Sequence, residues 1–308
     1  MTTRIFIDGA AGTTGLEIRD RLVGRGEFEL ITLGEDERKG ESARRDALCA
    51  ADIAILCLPD DAAREAVRLA EGADTRFIDA SSAHRVADGW TYGFPEITGH
   101  DPIARARCVS NPGCYPTGFI ALVAPLVRAG LVPRDWPFTV NAVSGYSGGG
   151  KALIDRFDSP GAPAFRAYGY DLAHKHLPEM QTHAGLKHPV IFAPSVVPAF
   201  RGMVVEVPLH CGAMTTNPHA DDLRACLEEF YAGSQIVSVA QGDAHGEILL
   251  ESHADPHDGI ALFVCANDGG WHARLVARLD NLGKGASGAA IQNLNIMCGL
   301  PETTGLQL

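Results

Sequence analysis

The chain has 308 residues, 46% of them hydrophobic, which is enough for one large domain or two ordinary domains with full cores. Its formal net charge of −12 argues against a nucleic-acid-binding protein and against a protein of anionic membrane surfaces. Eight cysteines without C-x-x-C spacing, and no signal-peptide pattern, predict reduced thiols in a cytoplasm. No apolar run approaches the roughly 18 residues of a membrane helix, so no membrane partner is expected.

The first elements are predicted to be a strand at residues 4–8, a glycine-rich turn, a helix at 16–26 and a strand at 28–33. This order is the context that a dinucleotide-binding loop requires. The glycine spacing is G-x-x-G-x-x-G, a variant that keeps glycine for a tight turn, close approach to a phosphate and helix–strand packing. An incidental glycine turn is the alternative. The predicted cofactor contacts in this loop are Gly9, Ala11, Gly12, Thr13, Thr14 and Gly15.

A charged stretch at residues 34–45 follows the second strand. An NAD site usually has an acidic residue here for the ribose hydroxyl, whereas an NADP site has Arg or Lys for the 2′-phosphate. Both types are present, and the basic residues Arg38, Lys39, Arg44 and Arg45 favour NADP. We predict Arg38 and Lys39 as cofactor contacts, and a solvated charged loop is the alternative reading of each.

The next elements are predicted to be a buried parallel strand at 52–58, a helix at 60–71 and a strand at 76–79. A polar loop, residues 80–85, follows the last of these strands. In a doubly wound sheet this edge holds the ligand. Ser81, Ser82, His84 and Arg85 are therefore predicted to face cofactor or substrate, with ordinary loop polarity as the alternative. Of these, we assign the two serines to the cofactor and His84 and Arg85 to the substrate.

Residues 111–117, Asn-Pro-Gly-Cys-Tyr-Pro-Thr, place Cys114 in a turn between a strand at 107–110 and an apolar run at 118–128. Pro116 suits the first turn of a helix, so Cys114 is predicted at or just before a helix N-terminus. There the unpaired N–H groups and the helix dipole favour a thiolate. Such a thiolate is a candidate nucleophile for acyl transfer. An ordinary buried thiol is the alternative.

The regular alternation of predicted strands and helices ends before residue 138. A strand at 138–143 opens into a Gly/Ser loop whose N–H groups, with Ser144, Ser147 and Lys151, suit an oxyanion or a phosphate. A flexible turn is the alternative. A helix is predicted at 152–157 and an irregular stretch at 158–173. If residues 174–176 are extended, His174 and His176 share one face and provide a source of acid/base catalysis.

The later strands, at 190–197, 203–210, 235–239, 261–266 and 272–279, need no parallel crossovers, so a mixed or antiparallel sheet is expected. Arg201, between the first two of them, suits a carboxylate; a surface arginine is the alternative. A helix is predicted at 219–231. His245, His253 and His257 match no metal-site spacing, and no metal is predicted. A glycine-rich loop at 280–288 precedes a closing helix at 289–298.

A nicotinamide-binding fold combined with a helix-capping cysteine and a histidine suggests one mechanism. The cysteine attacks an activated acyl group, hydride from NADPH reduces the thioester, and the histidine protonates the oxyanion or the departing group. An acyl phosphate would explain the anion-seeking loop at 144–151.

Seven stretches, at 6–15, 79–85, 92–96, 110–117, 174–179, 200–203 and 280–285, resemble the N-acetyl-gamma-glutamyl-phosphate reductases of arginine biosynthesis, in their short form (type 2), within the semialdehyde dehydrogenase superfamily. The Gly-Thr-Thr-Gly loop and the Cys114 turn are the most specific. The resemblance implies NADPH-dependent reductive dephosphorylation of N-acetyl-gamma-glutamyl phosphate to the semialdehyde. It implies Cys114 as nucleophile and one histidine of the pair as acid/base; the choice between His174 and His176 stays open, with His176 slightly favoured.

The fold implied is an α/β chain with two domains. Residues 1–114 form an NADP-binding Rossmann domain with a doubly wound parallel sheet, completed by residues 286–308. Residues 115–285 form an α+β catalytic and dimerisation domain with a mixed sheet, in a homodimer or homotetramer. Asn281 is assigned to NADP(H); Asn111, Ser144, Gly145, Ser147, Lys151 and Arg201 are assigned to the acyl-phosphate substrate and phosphate. Alternative functions are a related acyl-phosphate reductase, such as aspartate-semialdehyde dehydrogenase, or a non-catalytic NADP-binding sensor.

Overall fold

The structure is a computed structural model that describes residues 2–38, 40–241 and 246–308. Lys39, one of the two predicted 2′-phosphate contacts, lies outside the described residues, as does His245. The chain forms two compact units, residues 1–112 with 286–306 and residues 113–285 with 307–308. The boundary predicted above, after residue 114, lies two residues further along the chain.

The first unit alternates strands and helices. In chain order these are β1 (Thr3–Asp8), α1 (Thr13–Leu22), β2 (Phe28–Ile31), α2 (Glu41–Ala50), β3 (Ile53–Leu56), α3 (Asp60–Leu69), β4 (Arg76–Asp79), β5 (Thr91–Tyr92), α4 (Pro95–Thr98), α5 (His100–Arg105) and β6 (Cys108–Ser110).

The second unit begins with the longest helix of the described residues. Its elements are α6 (Cys114–Arg128), β7 (Thr139–Gly145), α7 (Gly150–Phe157), β8 (Arg166–Ala167), α8 (Leu177–His183), β9 (Ile191–Val197), β10 (Met203–Leu209), α9 (Ala220–Phe230), β11 (Val237–Val239), β12 (Ile260–Ala266) and β13 (Ala273–Leu279). A π-helical turn, Gly283–Ser287, leads to α10 (Gly288–Met297), which belongs to the first unit.

The sheet of the first unit is parallel throughout, with strand order β2-β1-β3-β4-β6-β5. Side chains that alternate along a strand enter different cores. Ile5 and Ile7 pack with α1 and α10, whereas Phe6 packs with α2 and α3 on the other face. Helices therefore cover both faces, and the predicted doubly wound α/β fold is confirmed.

The sheet of the second unit is mixed, with order β11-β12-β13-β10-β7-β9-β8. Helix α6 lies against one face: a side chain at Gly118 would come within 2.8 Å of Val205 in β10 and 3.3 Å of Ala277 in β13. The predicted mixed sheet is confirmed. The expectation that the later strands need no parallel crossovers is wrong, because β7 pairs with β9 and β11 with β12 in parallel.

Two further local expectations differ from the structure. The charged stretch after β2 becomes helical at Glu41, so Arg44 and Arg45 lie on α2. Strand β5 and helices α4 and α5 were not predicted, since each is too short to show a period. Within the ranges described above, none of the helices is both long and apolar enough to cross a membrane.

Candidate active site

A cavity of about 840 Å³ lies beside the C-terminal end of β1 in the first unit. The glycine-rich turn lines it. Gly9 has φ +91°, and a side chain there would overlap the carbonyl group of Cys57. A side chain at Gly15 would likewise overlap the carbonyl group of Gly9. The packing of the turn itself therefore requires both glycines.

Gly12 has a different role in the same turn. It is the N-cap residue of α1, and the atom nearest to an added Cβ is 3.5 Å away, an ordinary contact. As a glycine, it has no side chain to cap the N-terminal N–H groups. Thr13 and Thr14 form the first helical turn. The N-terminus of α1 is thus available to a phosphate group, as a dinucleotide requires.

Three arginines line this cavity. Arg38, predicted from the sequence, pairs with Glu35 at 3.3 Å and remains largely exposed. Arg44 donates through Nε and a terminal nitrogen to Asp8 Oδ2, at 3.1 and 2.9 Å, so its charge is already balanced. Arg19, on α1, was not singled out by the sequence pattern; it donates through Nε and a terminal nitrogen to Asp20, at 3.2 and 2.9 Å. The carboxylates paired with Arg38 and Arg19 are exposed, whereas Asp8 is buried, so these two arginines exchange their partners more readily and are the better candidates for a 2′-phosphate.

The polar loop after β4 is organised by buried Asp79. Its carboxylate accepts hydrogen bonds from the backbone N–H and hydroxyl of Ser81, at 2.9 and 2.7 Å, and lies 2.6 Å from Nδ1 of His84. Ser82 donates to Asp60 at the start of α3. These side chains shape the loop, and the ligand contacts assigned to Ser81, Ser82 and His84 stay predictions.

Arg85 and Asn111 are also bonded within the first unit. Arg85 Nε donates to the Asn111 carbonyl at 3.0 Å. The Asn111 amide donates to the carbonyl of Ala286 at 2.9 Å and accepts from Asn293 at 3.1 Å. Both side chains are buried. They fix the end of β6, and their substrate contacts stay predictions.

Cys114 is the first residue of α6, and Gly113 is its N-cap. The helix start predicted from Pro116 is confirmed. The Gly113 N–H donates to Oε1 of Glu179 at 2.8 Å, and this carboxylate, on α8, is 1% exposed. Glu179 follows the histidine pair closely in sequence, but no pattern in the neighbouring residues predicts its contact with the N-cap of α6.

His174 and His176 lie in a turn before α8 and not in an extended strand. Their ring centroids are 4.7 Å apart, so the turn still brings the pair together. The backbone N–H of His176 donates to Nδ1 of His174 at 3.2 Å. A nitrogen that accepts this bond carries no proton, so neutral His174 holds its proton on Nε2.

Aromatic rings surround the histidine pair. The Tyr115 ring, next to Cys114 in sequence, lies 5.9 Å from the His176 ring, and the Tyr168 ring lies 5.7 Å from that of His174. Burial raises the pKa of Tyr115 well above its usual range. The pair therefore lies in a largely apolar part of the second unit, where charge interactions are stronger than in water.

The loop after β13 lies against Cys114. A Cβ added to Gly285 would lie 2.9 Å from Cβ of Cys114. In the same loop, Asp280 accepts a hydrogen bond from a terminal nitrogen of Arg201 at 2.9 Å. Arg201, predicted to bind a substrate carboxylate, thus holds an internal one, and it lines a cavity of about 380 Å³ with His257.

The loop at 144–151 is used differently from the prediction. The N–H groups of residues 145–147, predicted to face an oxyanion, donate to carbonyl groups of residues 199, 200 and 202. Lys151 is exposed and pairs with Asp155 at 3.0 Å. The hydroxyl of Ser144 donates to the carbonyl of Gly145. An anion site made by these backbone groups is therefore not formed.

Asn281 joins this loop to the β9–β10 connector. Its amide donates to the Ser147 hydroxyl at 2.9 Å and accepts the Gly202 N–H at 2.9 Å. Both ends of the amide are bonded within the second unit, and its assigned cofactor contact stays a prediction. In the described parts of the chain, no group of three or more His, Cys, Asp or Glu residues is placed to hold a metal ion.

The comparisons with known proteins agree over nearly the whole chain. Residues 41–105 match the family model "Semialdehyde dehydrogenase, NAD binding domain", and residues 114–281 match "Semialdehyde dehydrogenase, dimerisation domain". N-acetyl-gamma-glutamyl-phosphate reductases of Brucella suis and Trichormus variabilis are 50% and 48% identical. They cover 97% and 98% of this chain, which in turn covers 100% and 99% of theirs.

Solved structures share the fold. Aspartate semialdehyde dehydrogenase II from Vibrio cholerae has a TM-score of 0.73 at 18% identity, covering 97% of this chain and 99% of its own. Aspartate semialdehyde dehydrogenase from Candida albicans, solved with NADP, has a TM-score of 0.66 at 16% identity with the same coverage. At these identities the likeness is one of fold.

Proposed function

The chain belongs to the N-acetyl-gamma-glutamyl-phosphate reductase family, and from this premise we propose that it uses NADPH to reduce N-acetyl-gamma-glutamyl phosphate to N-acetylglutamate 5-semialdehyde, releasing phosphate, in arginine biosynthesis. The observation that carries the proposal is Cys114 at the start of α6, in the same unit as the His174–His176 pair.

Cys114 is the nucleophile. Its Sγ forms a bond to the acyl carbon of the substrate, and the carbon–oxygen bond to phosphate breaks with its electron pair leaving on phosphate. The N-terminus of α6 is the positive end of the helix dipole. It suits the negative charge that develops on the acyl oxygen during this step.

His176 moves the proton. The departing phosphate needs one, and in the reverse direction the attacking phosphate must lose it. His174 is less suited to this exchange, because its Nδ1 accepts the His176 N–H and its other nitrogen holds the proton. We therefore assign acid/base catalysis to His176 and hydrogen-bond donation to His174.

The glycine-rich turn and the N-terminus of α1 hold the cofactor, with Arg38 and Arg19 at the 2′-phosphate. When bound, NADPH supplies a hydride to the acyl carbon. The resulting carbon–oxygen anion re-forms a double bond and expels the Cys114 thiolate, which releases the aldehyde. Acyl phosphate, NADPH and one proton thus give aldehyde, NADP⁺ and phosphate.

The partners and compartment follow from the same family. The dimerisation-domain match over residues 114–281 indicates an oligomer, and we propose a homodimer or homotetramer. The free cysteines suit a reducing compartment, and we propose the cytoplasm.

The test runs the reaction in reverse. N-acetylglutamate 5-semialdehyde should reduce NADP⁺ in a phosphate-dependent reaction that Cys114→Ser abolishes. The matched control is Cys49→Ser, since Cys49 is an exposed thiol of the first unit. Equal or faster reaction with aspartate semialdehyde would contradict the substrate assignment. NADP⁺ binding without turnover of either aldehyde would favour the alternative that the protein is a non-catalytic NADP-binding sensor.

A further inference from the structure

Tyr168 lies in the stretch 158–173, to which the sequence pattern assigns no function. Tyr168 directly follows strand β8, whose Ala167 pairs with Ser195 of β9. The guanidinium carbon of Arg166 lies 4.2 Å from the centroid of the Tyr168 ring, a cation–π contact. Backbone pairing and this contact together fix the position of the phenol.

The phenol reaches the proposed site. Its ring lies 5.7 Å from the ring of His174, and its hydroxyl oxygen lies 3.4 Å from that of Tyr115, the residue after Cys114. The hydroxyl of Tyr168 therefore lies beside Tyr115 and His174, and the charge of Cys114 acts on it, although 54 residues separate Tyr168 from Cys114 in sequence.

The direction of the hydrogen bonds identifies the donor. Tyr115 gives its single hydroxyl proton to the carbonyl of Ser195 at 3.2 Å. Between the two phenols, Tyr168 must therefore donate and Tyr115 accept. An O–H···O bond of 3.4 Å is well beyond the usual range of about 2.5–3.0 Å, so it is weak and easily exchanged for a better acceptor.

The phenol also stays protonated. Burial is the largest cause that raises the pKa of Tyr168, and negative charge on Cys114 raises it further. At neutral pH, with Cys114 as a thiolate, Tyr168 is thus a neutral donor.

We propose that Tyr168 is a further catalytic residue, whose hydroxyl donates a hydrogen bond to the acyl oxygen of the group attached to Cys114. This rests on the proposed acyl transfer to Cys114. The acyl oxygen carries negative charge in the tetrahedral states before and after the thioester, so a donor placed there favours those states over the ground state. No proton is transferred to or from the phenol, and the acid/base step remains with His176.

The main test compares Tyr168→Phe with Tyr170→Phe. Tyr170 is a matched control because it lies two residues away and is 83% exposed. Removal of one oxyanion donor lowers kcat by roughly 10²–10³. Tyr168→Phe should lower kcat of the semialdehyde reaction by about 100-fold while KM changes less than about threefold, and Tyr170→Phe should behave as the parent protein. An unchanged kcat in Tyr168→Phe would overturn the proposal.

Alkylation of Cys114 by iodoacetamide separates catalysis from a structural role, because it forms no oxyanion. Its rate should be the same in Tyr168→Phe and the parent protein. A parallel loss of alkylation and turnover would mean that Tyr168 only positions Cys114 or its neighbours, and would overturn the proposal.

A substrate-independent readout distinguishes this proposal from the proposed function. Acylation of Cys114 by p-nitrophenyl acetate passes through an oxyanion but needs neither NADP nor the natural substrate. Tyr168→Phe should slow it even if the substrate assignment is wrong; turnover of the semialdehyde with an undiminished kcat in the variant would retain the function and reject the donor.

If Tyr168→Phe is unstable, 3-fluorotyrosine at position 168 preserves the ring and makes the phenol more acidic. The decline of kcat at alkaline pH should then begin at a lower pH than in the parent protein. An unchanged pH profile of kcat would overturn the proposal.

Discussion

Gly285→Ala tests whether the loop after β13 fixes the position of Cys114, the proposed nucleophile. An added Cβ would lie 2.9 Å from Cβ of Cys114 and 3.0 Å from the carbonyl oxygen of Asp280. Ordinary carbon–carbon contacts are about 3.5–4.0 Å, so Cys114 or the loop must move by roughly 0.6–1 Å. Overpacking of this kind costs about 1–3 kcal/mol of stability. A misplacement of about 1 Å near reacting atoms costs about 100-fold in rate.

Two measurements check this reasoning. Urea unfolding should show the loss of stability, and kcat/KM with N-acetylglutamate 5-semialdehyde should fall by about 100-fold. Gly26→Ala is the control, because an added Cβ there meets no atom within 4 Å. If Gly285→Ala kept both the kcat/KM and the alkylation rate of Cys114, the loop would not be pressed against the nucleophile, and the argument would be refuted.

Three further predictions use other parts of the chain. Burial, with the charges of nearby carboxylates, raises the pKa of the Cys57 thiol to about 12. Iodoacetamide at pH 8 should therefore modify exposed Cys49 and leave Cys57 unmodified until the protein unfolds. Alkylation of Cys57 in the folded protein would contradict this. In calorimetric titrations, Gly12→Ala should weaken NADP⁺ binding with little loss of stability, whereas Gly15→Ala should lower both; equal loss of stability would contradict the distinction between the glycines. The pKa of Tyr115 is raised in the folded state. Its contribution to stability is therefore full below about pH 10, where the unfolded phenol is neutral, and is lost as pH rises beyond that value. Tyr115→Phe should accordingly reduce the fall in the urea midpoint of unfolding at alkaline pH. An identical decline in this variant would show that the phenol does not contribute.

The features that could be predicted from the sequence are local ones. The strand, glycine turn and helix at the start of the chain follow from adjacent residues, as does the helix that begins at Cys114. The closeness of His174 and His176 also needs only their spacing. A turn and a strand both leave such a pair together, so the prediction held although the backbone is not extended.

The features that were missed depend on pairings between distant segments. Tyr168 reaches the site through the pairing of β8 with β9, and Glu179 reaches Gly113 across 66 residues. Arg19 faces the cavity because of how α1 packs. None of these contacts has a signature in the neighbouring residues.

At the loop of residues 144–151, by contrast, the sequence pattern predicts an anion site of backbone N–H groups that the structure does not form. Its glycines and serines suit an anion site, but backbone N–H groups take any partner the fold provides. The connector at 199–202 supplies carbonyl groups, and it binds the N–H groups of residues 145–147.

The central claim is that Cys114 forms a thioester with the acyl group of the substrate. The most direct measurement is intact-protein mass spectrometry after the protein is mixed with N-acetylglutamate 5-semialdehyde and NADP⁺ without phosphate. The account predicts an adduct with the mass of one N-acetylglutamyl group, located on Cys114 by peptide mapping and discharged when phosphate is added. Turnover without an adduct in the parent protein, or an undiminished adduct in Cys114→Ser, would contradict it.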